Sequence, residues 1–278
     1  VRRRKPSIYK TPEELSAMVR PGLLTAQALD AVRAAIRPGV TTGELDAIAE
    51  RTIRDGGGVP NFQLVPGYRH TLCVSVNDEI VHGIPGERVL QAGDIVSVDA
   101  GAEVDGWNGD SAFTVVVPGG DPAVTDARQK LCDTTERALW HGVAALAHAK
   151  NLHEVGAAVE DAIDETGAWG IVEDYTGHGI GRSMHEEPPV FNHRVRGAGP
   201  AVQPGLAVAI EPMVTAGTID SSTDADEWTV RTLDGSDAAH WEHSVAVHAD
   251  GIWVLTAADG GAAALAPLGV TPVPVPVP

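Results

Sequence analysis

Five side chains able to ligate metal stand along this sequence in the order Asp99, Asp110, His178, Glu211 and Glu242, each beside a strand-like run. Asp99 ends Gly93-Asp-Ile-Val-Ser-Val-Asp99, and Asp110 opens Asp110-Ser-Ala-Phe-Thr-Val-Val-Val117. His178 sits in the glycine-dense turn Thr176-Gly-His-Gly-Ile-Gly181. Glu211 follows Leu206-Ala-Val-Ala-Ile210, and Glu242 leads into Ser244-Val-Ala-Val247. Four carboxylates and one imidazole suit two hard-to-borderline divalent cations that share bridging oxygens. Such a pair can acidify water at neutral pH and clamp a tetrahedral intermediate. Mostly oxygen donors favour cobalt, manganese or iron over a structural zinc.

Each part also has a plainer reading. Either aspartate alone reads as an exposed strand end. As a pair around the Asp105-Gly106 turn they face each other across a hairpin, where two carboxylates repel unless a cation or proton lies between them. Glu211 and Glu242 border runs apolar enough to be buried, and a buried carboxylate needs a partner; Pro212 could equally leave Glu211 exposed at a strand end. The glycines around His178 lack the G-x-G-x-x-G spacing of a nucleotide loop, and Pro188-Pro189 prevents a long helix from following. They let the backbone pass close to a ligand or another strand instead. His82, in Val81-His-Gly-Ile-Pro85, and His185, in Met184-His-Glu-Glu-Pro188, share such settings. That separates these three from the other histidines, His240 among them.

Composition narrows the class. A chain of 278 residues with 43% hydrophobic content has ample material for a packed core. It holds no run of eighteen apolar residues and opens on no signal-peptide pattern, so the expectation is a cytoplasmic protein without membrane attachment. Cys73 and Cys132 make no disulfide or metal framework, which suits a reducing cytosol. A net charge of −18 argues against a nucleic-acid surface.

These residues must be positioned by elements. Thr11-Pro-Glu-Glu14 reads as a capping box opening a helix to about Ile36, with Pro21 expected to kink or split it. Thr42 is expected to cap a second helix to about Arg54. Strand signals run from Asn61 to Val117, helices from Asp126 to about Ala149 and from Leu152 to Glu165, and strands return from Val172 to Leu255. The order helix, helix, strands therefore occurs twice, and a faint echo between Glu44…Gly57 and Glu154…Gly167 fits a duplication. Two pseudo-symmetric halves would then share a site between them. Residues 1–10 read as a basic arm, 11–256 as one catalytic domain, and 257–278 as a flexible Gly/Ala/Pro-rich tail.

At this point the chain resembles the type I methionine aminopeptidases. The resemblance is carried by Asn77-Asp-Glu-Ile-Val-His-Gly-Ile-Pro85, Asp94-Ile-Val-Ser-Val-Asp99, Gly106-Trp-Asn-Gly-Asp110, Gly177-His-Gly-Ile-Gly-Arg-Ser-Met-His-Glu-Glu-Pro188, Ile210-Glu-Pro-Met213, Glu227-Trp-Thr-Val230 and Glu242-His243, in family order. It implies an α+β pita-bread fold, a curved antiparallel sheet covered by helices. It also implies hydrolytic removal of N-terminal methionine from nascent proteins and peptides, preferably before a small second residue. By resemblance, Asp99 is a bidentate ligand of one metal, Asp110 and Glu242 bridge, and His178 and Glu211 hold the other, Glu211 also shuttling the proton. His82 and His185 resemble the histidines that contact the substrate amide and its developing charge. Tyr68, Cys73 and Trp228 resemble the methionine pocket, with Met184 where an aromatic residue is common and Phe62 a further member. Val65-Pro66, before Gly67-Tyr68, departs from the family's aromatic-histidine pair there.

The partners implied are the N-terminal methionine of polypeptides and a transient contact at the ribosome, with the enzyme a monomer. The rival readings are an Xaa-Pro-type aminopeptidase on the same scaffold and a non-catalytic binding relative.

Overall fold

The computed structural model describes residues 7–276. The first half runs α1 (Pro12–Ala35), α2 (Thr42–Asp55), β1 (Val59–Pro60), β2 (Leu72–Val76), β3 (Glu79–Val81), β4 (Ile95–Val104) and β5 (Trp107–Val116). The second runs α3 (Pro122–Leu146), α4 (His153–Asp164), β6 (Gly170–Ile171), β7 (Gly177–Gly179), β8 (Glu186–Val190), β9 (Ala207–Ile210), β10 (Met213–Thr215), β11 (Ser221–Thr223), β12 (Val230–Thr232), β13 (Ala238–His240), β14 (Glu242–His248), β15 (Gly251–Val254) and the short α5 (Ala262–Leu265). The repeated order of two helices followed by strands is present. Its principal sheet is antiparallel in the order β1-β4-β5-β14-β9-β7-β8, with β2 added on β4 and β15 on β14.

Local chemistry accounts for the ends. Both Thr11–Glu14 and Thr41–Glu44 close full capping boxes, so the second cap falls on Thr41, one residue before the expected Thr42. Asp121 caps α3, which starts four residues earlier than expected, with Pro122 in its first turn. Asn61–Leu64 forms a 3₁₀ turn, not the start of a strand. Asp105 and Gly106 have φ of 55° and 75° between Val104 and Trp107. Positive φ at both positions is the two-residue hairpin geometry whose twist matches that of strands.

Pro21 neither splits nor ends α1. The helix is anchored there by close approach to the sheet. A Cβ on Gly22 would lie 2.5 Å from the Leu255 carbonyl oxygen, and one on Gly109 would lie 2.7 Å from Gly22. The Thr25 hydroxyl donates to the Gly109 carbonyl at 3.2 Å and accepts from the Ala102 amide at 3.1 Å.

The expected flexible tail is instead docked over its described part. The Val273 amide donates to the Ile252 carbonyl at 2.9 Å, and His248 Nε2 meets the Val273 carbonyl at 2.8 Å. Val275 is buried in a cluster with Leu15, Met18 and Trp107, and Val270 joins the main core. Proline lacks an N–H, but alternation with valine leaves every second residue able to bond an edge strand. Residues 7–10 are pinned as well: the Lys10 amide donates to the Gly205 carbonyl at 2.7 Å, and Lys10 Nζ pairs with Glu186 at 2.8 Å. The basic cluster Arg2–Lys5 lies outside the described residues. Removing residues 270–278 is expected to lower stability by on the order of 2–4 kcal/mol, from re-exposing two buried valines and the apolar surface beneath them. Calorimetry on the truncated protein checks this; an unchanged melting temperature would show that the docked tail contributes nothing.

Candidate active site

The five candidate ligands come from five neighbouring strands. Asp99 lies on β4, Asp110 on β5 and Glu242 on β14; Glu211 directly follows β9, and His178 is on β7. Register puts them on one face. Asp99 and Glu242 both pair with Ala112, two residues from Asp110, and the pairing His243↔Ile210 extends to set Glu242 beside Glu211. His178 pairs with Ala209, two residues before Glu211. Directly paired residues and those two apart share a sheet face, so every ligand points the same way. Asp110 pairs with Gly101, not with Asp99, so the two aspartates are diagonal neighbours and not directly opposed as expected.

The ligating atoms converge. Asp99, Asp110 and Glu242 each bring an oxygen to within 4.8 Å of the other two, and His178, Glu211 and Glu242 form a second such group. Asp110 Oδ1, Asp99 Oδ1 and Glu242 Oε1 are buried and find no hydrogen-bond partner among the described residues. Burial raises all four carboxyl pKa values. Asp99 and Glu211 are pushed up to about 7, while Asp110 and Glu242 rise well above the usual range, with neighbouring carboxylates adding to the effect of burial. Buried oxygens with unmet acceptor capacity and mutual repulsion are a donor set that divalent cations fit. His178 matches this role: its Nδ1 lies 2.9 Å from the Gly179 carbonyl, so the proton belongs there and Nε2 is left free as a donor atom. That Nε2 is 3.5 Å from Glu211 and 3.9 Å from Glu242.

The cavity beside these groups, of about 150 Å³, is lined by Asp99, Asp110, His178, Glu211 and Glu242 at one end. Phe62, Tyr68, Cys73, Met184 and Trp228 form its apolar end, so all five expected pocket residues meet there. A volume of this size holds a six-carbon ring inside a protein, and hence an unbranched side chain. The Tyr68 hydroxyl donates to the Leu72 carbonyl at 2.6 Å and accepts from Cys73 Sγ at 3.3 Å; Trp228 packs edgewise on the Tyr68 ring at 4.9 Å. Burial pushes the Cys73 thiol up, so it is an uncharged, polarisable wall.

His82 and His185 line the same cavity. His82 has φ of 61°, a left-handed backbone uncommon outside glycine and concentrated at functional sites. Its pKa is lowered to about 4 by burial and by facing His240, so it is neutral at pH 7. The His185 ring stands edgewise on His178 at 4.4 Å, and one of its nitrogens falls within 4.8 Å of Asp110 and His178 donor atoms.

Two residues at this site were not singled out from the sequence. Val81 lines the cavity, together with Val65 of the Val65-Pro66 departure. His240 is buried with Nε2 3.7 Å from Glu211 and close enough to Asp99 and His82 to affect both. Only its place two residues before Glu242 could have signalled it.

Comparison with known proteins agrees with this geometry. The profile of metallopeptidase family M24 matches residues 16–249. Methionine aminopeptidase 1 of Bacillus subtilis is 42% identical over 249 residues, covering 90% of this chain and 98% of that one. Methionine aminopeptidase 1 of Mycobacterium tuberculosis is 45% identical, covering 87% and 92%. The chain belongs to metallopeptidase family M24. Within M24 it groups with the type I methionine aminopeptidases. The crystal structure of methionine aminopeptidase from Thermotoga maritima superposes with a TM-score of 0.84 at 35% identity, covering 89% of this chain and 98% of that one. The M24 chain thus has the pita-bread fold. A prolidase from Pyrococcus furiosus, at 20% identity and TM-score 0.65, shares the fold alone.

Proposed function

We propose that this protein hydrolytically removes the N-terminal methionine from nascent proteins and peptides, with a preference for a small second residue. One observation carries the reading: a single-side-chain apolar cavity ends on the clustered carboxylates, so a side chain held there presents its own backbone to them. When bound, two divalent cations held by Asp99, Asp110, His178, Glu211 and Glu242 would acidify water and polarise the first peptide carbonyl.

The chain's own groups do the rest. The acidic cluster attracts the positively charged α-amine, which only an N-terminal residue offers at that position. Glu211, at the end of β9 beside the other ligands, accepts a proton from the attacking water and returns it to the departing amine. His185 donates a hydrogen bond where negative charge develops on the carbonyl oxygen, and His82, neutral at pH 7, holds the scissile amide. Phe62, Tyr68, Cys73, Met184 and Trp228 exclude water around the methionine side chain and match its polarisability. Cobalt, manganese and iron fit the oxygen-rich set, and the same reading places a monomeric enzyme in the cytoplasm, meeting nascent chains near the ribosome.

Metal-titrated cleavage of Met-Ala-Ser, Met-Leu-Ser and Met-Pro-Ala under anaerobic conditions tests the proposal. The first peptide is expected to be cut fastest. A preference for proline at the second position would move the assignment to an Xaa-Pro-type activity, and no turnover with any of the three metals would sink it. Replacing His185 with alanine should lower kcat by about a hundredfold, the usual cost of losing an oxyanion donor, with metal affinity within about threefold of the parent. A parallel loss of metal in calorimetric titration would make His185 a ligand instead.

A further inference from the structure

The two halves of the principal sheet join where β5 meets β14, and this join is short. Only Ala112↔Glu242 and Ser111↔His243 are paired across it. From Val245 onward β14 pairs with β15 instead. Ser244 is the residue at which β14 changes neighbours, and its own amide and carbonyl turn to Thr256 Oγ1 at 3.1 Å and the Leu255 amide at 2.8 Å. Asp110, which would be next in the ladder, is met by the Ser244 hydroxyl instead. That oxygen accepts from the Asp110 amide at 3.1 Å and donates to the Asp110 carbonyl at 2.7 Å. From the other side of the join, the Ser111 hydroxyl donates to the Glu242 carbonyl at 2.7 Å.

Side-chain alternation puts Ser244 on the face of Glu242 and Ser111 on the opposite, helix-facing one. The outer face is not packed solid there. A cavity of about 230 Å³ between α1 and α3 is lined by Arg33, Ser111, Trp140 and His243, so packing alone does not fix the join. The serine hydrogen bonds brace it, and each reaches the backbone of one of the two carboxylate residues that face each other across the halves.

We infer that Ser244 and Ser111 are positioning residues that fix the spacing of the Asp110 and Glu242 carboxylates across the join, and so set metal affinity and geometry. The inference rests on the metal-dependent reading above. Neither serine lines the cavity in which the five candidate ligands meet. Both are buried, at 0% and 2% exposure, and Ser244 lines neither cavity, so no solvent molecule can replace its hydroxyl without rearrangement.

The test is calorimetric titration of the full-length metal-free protein with Mn²⁺, together with the visible absorption of its Co²⁺ form and hydrogen exchange at the Asp110 amide. Ser244→Ala is expected to weaken Mn²⁺ binding by about tenfold or more, the usual cost of losing a group that orients a ligand. It should also alter the Co²⁺ spectrum and speed exchange at Asp110. Ser244→Thr, which keeps the hydroxyl, should restore all three to near the parent. Ser111→Ala should weaken Mn²⁺ binding several-fold, and it keeps the test decisive if Ser244→Ala does not fold. Thr135→Val removes a comparable buried hydroxyl–carbonyl bond inside α3 and should leave Mn²⁺ affinity unchanged. Serine variants with the parent's affinity and Co²⁺ spectrum, and only a lower melting temperature, would overturn the inference. A parent that binds no Mn²⁺ would overturn the metal reading along with it.

Discussion

Asp110→Asn is expected to lower Met-Ala-Ser turnover by on the order of a thousandfold or more with metal supplied. Losing a carboxylate of the proposed metal site would remove several kcal/mol of charge stabilisation, and each 1.36 kcal/mol is tenfold in rate. The same variant should change stability with opposite signs in two states. In the metal-free protein the Asp110 carboxyl is fully buried among Asp99, Glu211 and Glu242, and its charge is disfavoured by burial first and by Asp99 next. An amide of the same shape carries no such penalty, so the metal-free variant should melt higher than the metal-free parent. With saturating Mn²⁺ the order should reverse, because the parent gains binding energy that the variant has lost. Calorimetric melts with chelator and with Mn²⁺ measure both. Full turnover in the variant, or a metal-free melt below the parent's, would contradict the placement of Asp110 in the cluster.

The second large effect is the pH dependence of the metal-free protein. Asp99 and Glu211 keep their protons to about pH 7 in the folded chain, and burial beside other carboxylates raises Asp110 and Glu242 well above the ordinary range, whereas unfolded carboxylates titrate near 4. The folded state therefore binds more protons, and this stabilisation, complete below about pH 4, is lost as pH rises through the folded values. Histidines act the other way. His82 and His243 are depressed to about 4 by burial, so they add stability as pH rises from there toward about 6.5, where unfolded histidine loses its charge. The two sets oppose each other between about pH 4 and 6.5. Above 6.5 only the carboxylates remain, and stability of the metal-free protein is expected to go on falling as pH rises through their folded values. Metal inverts this, because cations and protons compete for the same oxygens and deprotonation favours the cation. Melting curves from pH 6 to 9, with chelator and with Mn²⁺, should therefore diverge as pH rises. Asp110→Asn should flatten the metal-free slope; parallel slopes in parent and variant would remove Asp110 from the titrating set.

Much of the site was legible because its residues carry local signals. Asp105-Gly106 dictates a tight hairpin, which places Asp99 and Asp110 on adjoining strands whatever else the chain does. The apolar runs before Glu211 and after Glu242 announce burial, and a buried carboxylate demands a counter-charge. The glycines beside His178 announce close backbone approach, and a Cβ on Gly179 would lie 2.2 Å from the Glu187 carbonyl oxygen. The capping boxes at Thr11 and Thr41 fix two helix starts within a residue.

What local signals could not carry was adjacency. The sheet order β4-β5-β14-β9-β7 places β14 between β5 and β9, and nothing in either half's sequence states that the halves join there. His240 looked like any other histidine until that order put it beside Glu211 and Asp99. Pro21 reads as a break, yet the helix continues through it where Gly22 and Gly109 meet across a long sequence separation. The Val-Pro tail reads as disordered by composition, but an edge at Ile252 and His248 was waiting to bond it. Residue type and spacing thus determined which groups could do chemistry, because ionisation and turn geometry are local properties. Tertiary structure decided which of them share a metal centre and what braces it, because register between distant strands is set by the packing of the whole sheet.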